Sequence, residues 1–139
     1  IDFYQVPVKE IQYIKQGADF ITPDGTRIPN NRLTRPAEPA RTYAYCSDTA
    51  FFPEIIPYIH QVDLLYHEAT FKEVDTPRAH ETFHSTAREA AAIAEDAEVK
   101  RLLIGHYSAR YEDPLPLKQE AMSIFPNTTL AKEGMKISL

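Results

Sequence analysis

The chain has 139 residues, a net charge of −5 and a hydrophobic fraction of 43%, which suits one domain with a core and excludes a chain disordered throughout. No run approaches the ~20 apolar residues of a membrane span, no secretory leader is visible at the start, and no basic patch typical of a compact nucleic-acid binder is obvious. Cys46 is the only cysteine, which excludes an internal disulfide and favours a reducing, cytoplasmic location.

Residues 11–17 are short and amphipathic, with Gly17 placed to end a helix. Asp19 to Ile28 predicts a hairpin turning at Pro23-Asp24-Gly25. Residues 29–40 hold several prolines and two asparagines and are expected to be loop; Arg27, Arg32, Arg35 and Arg41, in and around it, suit a solvated surface. Residues 41–47 alternate and are aromatic, a strand. Residues 51–61 predict a helix, with Pro53 in its first turn and Asp48 or Thr49 near its cap. Residues 62–66 predict a buried strand, and residues 72–83, with Pro77, a polar loop.

Thr86-Ala-Arg-Glu89 has the form of a capping box and opens a helix running to about Ala97, whose alanines give a narrow face for packing on a sheet. A strand over 99–104, a helix from Asp113 to Phe125 and one or two terminal strands broken at Gly134 complete the chain. Strands alternating with helices predict an α/β layer with a partly parallel sheet. Residues 1–40 form a hairpin and Pro-rich segment, and residues 41–139 an α/β segment carrying the chemistry.

That chemistry lies at the ends of apolar runs. Asp48 follows the strand 41–47 and suits either a helix cap or a site carboxylate. His106 follows Leu102-Leu-Ile-Gly105 and suits either a structural histidine or a metal ligand. His67 and Glu68 are neighbours on a strand and face opposite sides, so only one enters a given site. Glu68 is the better choice, as a partner that orients an imidazole and raises its pKa; its alternative is a surface salt bridge. His84 sits just before a helix N-terminus, where the dipole disfavours a charged imidazole, so a carboxylate is required nearby if it is to donate a proton. Ser108 and Arg110 suit a phosphate contact or a surface turn. His80-Glu-Thr-Phe-His84 matches the zinc-protease pattern, but that pattern needs both histidines on one helix, and the capping box starts the helix after His84.

Taken together, Ser47-Asp48-Thr49, His67-Glu68-Ala69-Thr70, His84-Ser85-Thr86 and Gly105-His106-Tyr-Ser108-Ala-Arg110-Tyr111 resemble, in order, four motifs of the ribonuclease Z family of the metallo-β-lactamase superfamily. The resemblance is strongest from Arg41 to Pro126. It implies that Asp48 bridges two zinc ions, that His106 is the last metal ligand, and that His84, held by Glu68, donates the proton in cleavage of precursor tRNA. The superfamily's His-x-His-x-Asp-His ligand motif is absent, and no histidine precedes His60.

The start without methionine also points to a piece of a longer protein. The expected fold is therefore the C-terminal α/β half of a metallo-β-lactamase-type αββα sandwich, a mixed sheet with flanking helices. Its ligand set for zinc is incomplete, its partners are the missing N-terminal half, a second copy in a homodimer and precursor tRNA, and it is expected to be inactive alone. Two rival readings are another phosphodiesterase or hydrolase of the same superfamily and a non-catalytic structural fragment.

Overall fold

The computed structural model describes residues 4–139. The chain divides into two compact units, Ile1–Ala40 and Arg41–Leu139.

In the first unit, helix α1 (Val8–Lys15) ends in a Schellman motif. Gly17, at φ +102°, lets Ala18 N donate to Tyr13 O at 2.9 Å and Gly17 N to Ile14 O at 3.0 Å. Strands β1 (Phe20–Ile21) and β2 (Arg27–Ile28) pair antiparallel across the Pro23-Asp24-Gly25 turn, as the turn residues predict. A one-turn helix, α2 (Asn30–Leu33), follows where only loop was expected. Val6, Ile14, Phe20 and Ile28 form the small core of this unit.

The second unit is built on strands β3 (Tyr43–Cys46), β4 (Leu64–Glu68), β5 (Leu102–Gly105) and β6 (Thr128–Leu130). They lie in the order β3-β4-β5-β6 and pair parallel throughout. The α/β reading stands, but the antiparallel component of the expected mixed sheet is confined to the separate hairpin. Each strand returns to the same edge through a crossover, so every C-terminal end emerges on one side, which is where open parallel sheets carry their sites.

The crossovers correct the sequence reading twice. Pro57 lies inside the segment expected to be a helix over 51–61 and removes a backbone donor, and only a 3-10 helix forms, at Pro53–Tyr58. The expected polar loop over 72–83 instead holds a 3-10 turn at Glu73–Asp75 and helix α3 (Thr76–Glu81). Pro77 does not break this helix, because it occupies the first turn, where no N–H is missed.

Helix α4 (Ala87–Asp96) opens on the expected capping box: Glu89 N donates to Thr86 Oγ1 at 3.2 Å and Thr86 N to Glu89 Oε2 at 2.8 Å. Its alanines 87, 90, 91 and 94 are fully buried, so the helix backbone lies close to the sheet. Helix α5 (Leu115–Met122) packs beside it through Leu117 and Ala121. Strand periodicity puts Leu65, Leu102 and Ile104 on the helix side. Tyr43 and Tyr45 stand exposed on the other side, where Tyr45 stacks on Tyr66 at 4.6 Å between centroids. After β6 the chain forms no further strand, and Met135, Ile137 and Leu139 line a groove with Tyr43, Leu64 and Leu103. No helix of the described residues is long and apolar enough to cross a membrane.

Candidate metal centre

Three strand ends and the loop before α4 converge at the C-terminal edge of the sheet. Two of the strands turn there through left-handed backbone at a polar residue, Asp48 at φ +58° and His106 at φ +59°. In the loop, Phe83 at φ +59° directly precedes His84. Such conformations cost of order 1–3 kcal/mol each and persist where surrounding bonds over-determine them. Asp48 is therefore a residue of a strained strand end and not a helix cap.

Glu68, the last residue of β4, is completely buried and accepts four hydrogen bonds. Oε1 receives Thr49 N at 2.6 Å and His84 Nδ1 at 2.9 Å. Oε2 receives Thr70 Oγ1 at 2.5 Å and Ser85 N at 3.1 Å. Burial alone pushes a carboxyl up, but these donors outweigh it and hold Glu68 below the usual carboxylate range. Its roughly four lone-pair positions are all used, so it can orient its neighbours but has no free position for a metal. Its neighbour His67 is buried, with Nδ1 against the Glu68 carbonyl at 2.7 Å, and burial pushes its pKa down.

His84 lies in the loop, beyond the end of α3, and its backbone N bonds to Ala79 O at 2.8 Å. The required carboxylates are present, with Nδ1 facing Glu68 Oε1 at 2.9 Å and Asp48 Oδ1 at 3.6 Å. The zinc-protease pairing does not form, because His80 sits within α3 and its Nε2 meets Glu89 Oε1 at 2.6 Å. The His84 and His106 rings are 5.2 Å apart between centroids. His106 Nδ1 lies 2.9 Å from Thr70 Oγ1.

One ligand atom from each of Asp48, Glu68, His84 and His106 falls within 4.8 Å of the others, a group able to hold a metal ion. With Glu68 saturated and Nδ1 of both rings engaged, the atoms left for a ligand are those of the exposed Asp48 carboxylate and Nε2 of each ring. The donor chemistry of Asp48 and His106 suits a divalent metal.

Ser108 and Arg110 lie on the same rim. Ser108 N bonds to Thr70 O at 3.1 Å. Arg110 is exposed, meets Asp75 Oδ1 at 3.2 Å and lies over the Phe71 ring at 5.0 Å. Thr49, Thr70 and Ser85 were not singled out among the expected site residues. All three lie inside motifs that flag Asp48, Glu68 and His84, but the donation from Thr49 N to Glu68 depends on how β3 and β4 end side by side.

A family model described as the beta-lactamase superfamily domain matches residues 32–107. The chain belongs to that family. It is also 69% identical over 138 residues to a protein named ribonuclease Z from Parabacteroides distasonis, covering 99% of this chain and 45% of that one. A ribonuclease Z from Bacteroides thetaiotaomicron is 60% identical over 139 residues, covering 100% of this chain and 44% of the relative. The chain thus spans somewhat under half the length of these curated relatives. Among solved structures, the metallo-beta-lactamase fold protein YhfI from Bacillus subtilis matches with a TM-score of 0.62 at 27% identity, covering 69% of this chain and 39% of that one.

Proposed function

We propose that this chain is the C-terminal half of a zinc-dependent endoribonuclease that removes the 3′ trailer from precursor tRNA. What carries the reading is the buried Glu68 holding the part-exposed His84 beside Asp48 and His106, in a chain with close relatives named ribonuclease Z. Asp48 and His106 would hold zinc through the carboxylate and Nε2. Bound there, zinc would activate the attacking water and neutralise charge on the phosphoryl oxygens. His84 is the general acid. Its Nδ1–H is donated to Glu68, which orients the ring, and Nε2–H is proposed to protonate the leaving 3′-oxygen. Asp48 Oδ1 lies 3.6 Å from the same nitrogen. Ser108 and Arg110 are the proposed phosphate contacts, with Arg110 sharing its guanidinium between Asp75 and substrate.

One carboxylate and one imidazole do not complete a roughly four-coordinate zinc site, so the remaining ligands belong to the other half. The tyrosine-lined face of the sheet is the surface proposed to meet that half. The whole protein is proposed to act as a cytoplasmic homodimer on precursor tRNA.

The test uses the full-length protein with zinc or manganese and a precursor tRNA. His84→Ala should cut turnover by ~10²–10⁴-fold, the usual size of a general-acid contribution, with bound metal unchanged. Parallel loss of metal and activity would make His84 a ligand and sink the proton-donor role. Specific cleavage by the isolated span, loaded with metal as a monomer, would sink its description as half of a site.

A further inference from the structure

We propose that Thr70 is a positioning residue that holds His106 in the Nδ1–H tautomer, so that one buried carboxylate orients both imidazoles of the site. The tautomer assignment stands on the hydrogen-bond geometry; its consequence for metal binding rests on the reading of His106 as a ligand.

The argument is a proton count. A threonine hydroxyl carries one hydrogen and two lone pairs. Thr70 Oγ1 has four polar neighbours: Glu68 Oε2 at 2.5 Å, His106 O at 2.8 Å, His106 Nδ1 at 2.9 Å and, farther off, His84 Nδ1 at 3.5 Å, whose hydrogen is already given to Glu68 at 2.9 Å. A carbonyl and an ionised carboxylate can only accept. Glu68 is kept ionised by Thr49 N–H, Ser85 N–H and His84, which all donate to it. The hydroxyl hydrogen is therefore directed at Glu68 or at His106 O, with the charged acceptor at 2.5 Å the stronger pull. In either case none remains for His106 Nδ1. The 2.9 Å contact is then a hydrogen bond only if Nδ1–H donates to the threonine oxygen. That leaves the lone pair on Nε2.

The same carboxylate accepts Nδ1–H of His84 directly. Glu68 thus sets one ring by contact and the other through a single intervening hydroxyl. Thr70 is well held for this purpose. Its side chain is 5% exposed, its N–H bonds to Ser85 O at 3.1 Å and its carbonyl accepts Ser108 N at 3.1 Å. Outer groups of this kind fix ring orientation and raise ligand basicity, and their loss typically costs ~10–100-fold in metal affinity.

The experiment uses full-length protein, freed of metal and labelled with ¹⁵N in its histidine rings, as wild type, Thr70→Val and Thr70→Ser. Valine keeps the shape and removes the hydroxyl, and serine keeps the hydroxyl. Long-range ¹H–¹⁵N spectra, recorded at a pH where His106 is neutral, should show a protonated Nδ1 on His106 in wild type and Thr70→Ser. In Thr70→Val that preference should be lost. Zinc affinity, read by competition with a chromogenic chelator, should fall ~10–100-fold in Thr70→Val and stay near wild type in Thr70→Ser. An Nε2–H tautomer in the wild-type spectrum overturns the proposal whether or not the valine variant folds. So does a serine variant as impaired as valine, which would assign the effect to the methyl group. A valine variant with the tautomer lost but zinc affinity intact would uphold the role of Thr70 and remove His106 from the ligand set.

Discussion

Two carboxylates stand at opposite ends of β4, and both are held below the usual carboxylate range, yet they differ in what their partners can do. Asp63, just before the strand, takes Lys100 Nζ at 2.7 Å, Thr42 N at 2.7 Å and Thr42 Oγ1 at 2.9 Å. The lysine bond is the largest cause of its depression, followed by the threonine N–H and hydroxyl. These bonds clasp the starts of β3 and β5 to β4 and lead nowhere else. Glu68, at the far end, is also saturated, but two of its donors lead on into one cluster: His84 belongs to it, and Thr70 contacts His106, another of its members. A hydrogen-bonded carboxylate is thus not itself a functional signal. What separates a clasp from a site is whether the partners lead on to further site residues.

Replacing each carboxylate tests that contrast. Glu68→Ala should have the largest effect. Turnover of the full-length protein should fall by ~10²–10⁴-fold, as for loss of the general acid. Folding stability should drop as well, because buried donors are left unpaired at ~1–3 kcal/mol for such a group. If denaturant unfolding shows the stability loss while turnover is retained, Glu68 is a second clasp and the contrast dissolves.

Gly105, paired with Glu68 in the sheet, should come next. The Tyr66 ring crosses this residue, and a Cβ here would sit 2.8 Å from Tyr66 Cε2. Gly105→Ala should therefore cost ~1–3 kcal/mol as an overpacking change. It should also disturb His106, the next residue, more than any group at the Asp63 end. Zinc affinity and unfolding midpoints together check this, and unchanged values for both would show that Tyr66 swings aside freely.

The smallest effect belongs to Asp63→Asn, which should lower stability modestly near neutral pH and leave turnover unchanged. The sign of its pH dependence follows from its depressed folded-state pKa. The stabilisation is fully present above the unfolded value of about 4 and is lost as pH falls through the lower folded value. Wild type and Asp63→Asn should therefore converge in stability as pH drops below about 4. A gap between them that persists well into acid would mean that the Asp63 charge is not what fastens the strands.

Local rules were enough wherever one residue's chemistry decides its own surroundings. The helix end at Gly17, the Pro23-Asp24-Gly25 turn, the Thr86/Glu89 box and the three apolar runs leading into Asp48, His67-Glu68 and His106 are all legible, because caps, turns and strand ends are short-range events. Proline was the weak point in both directions. Pro57, in the middle of an expected helix, prevents a regular one, whereas Pro77, in an expected loop, sits in the first turn of one; position within the turn, not identity, sets its effect. The sequence by itself also put Asp48, Glu68, His84 and His106 at the ends of elements. Only the tertiary structure brought them within 4.8 Å, by pairing three strands parallel so that their ends share an edge. It alone decided that Glu68 is filled by Thr49, Thr70, His84 and Ser85, and that Thr70 stands between that carboxylate and His106. Hydrogen-bond saturation is a property of several chain segments meeting at one point, and no local pattern along the chain encodes it.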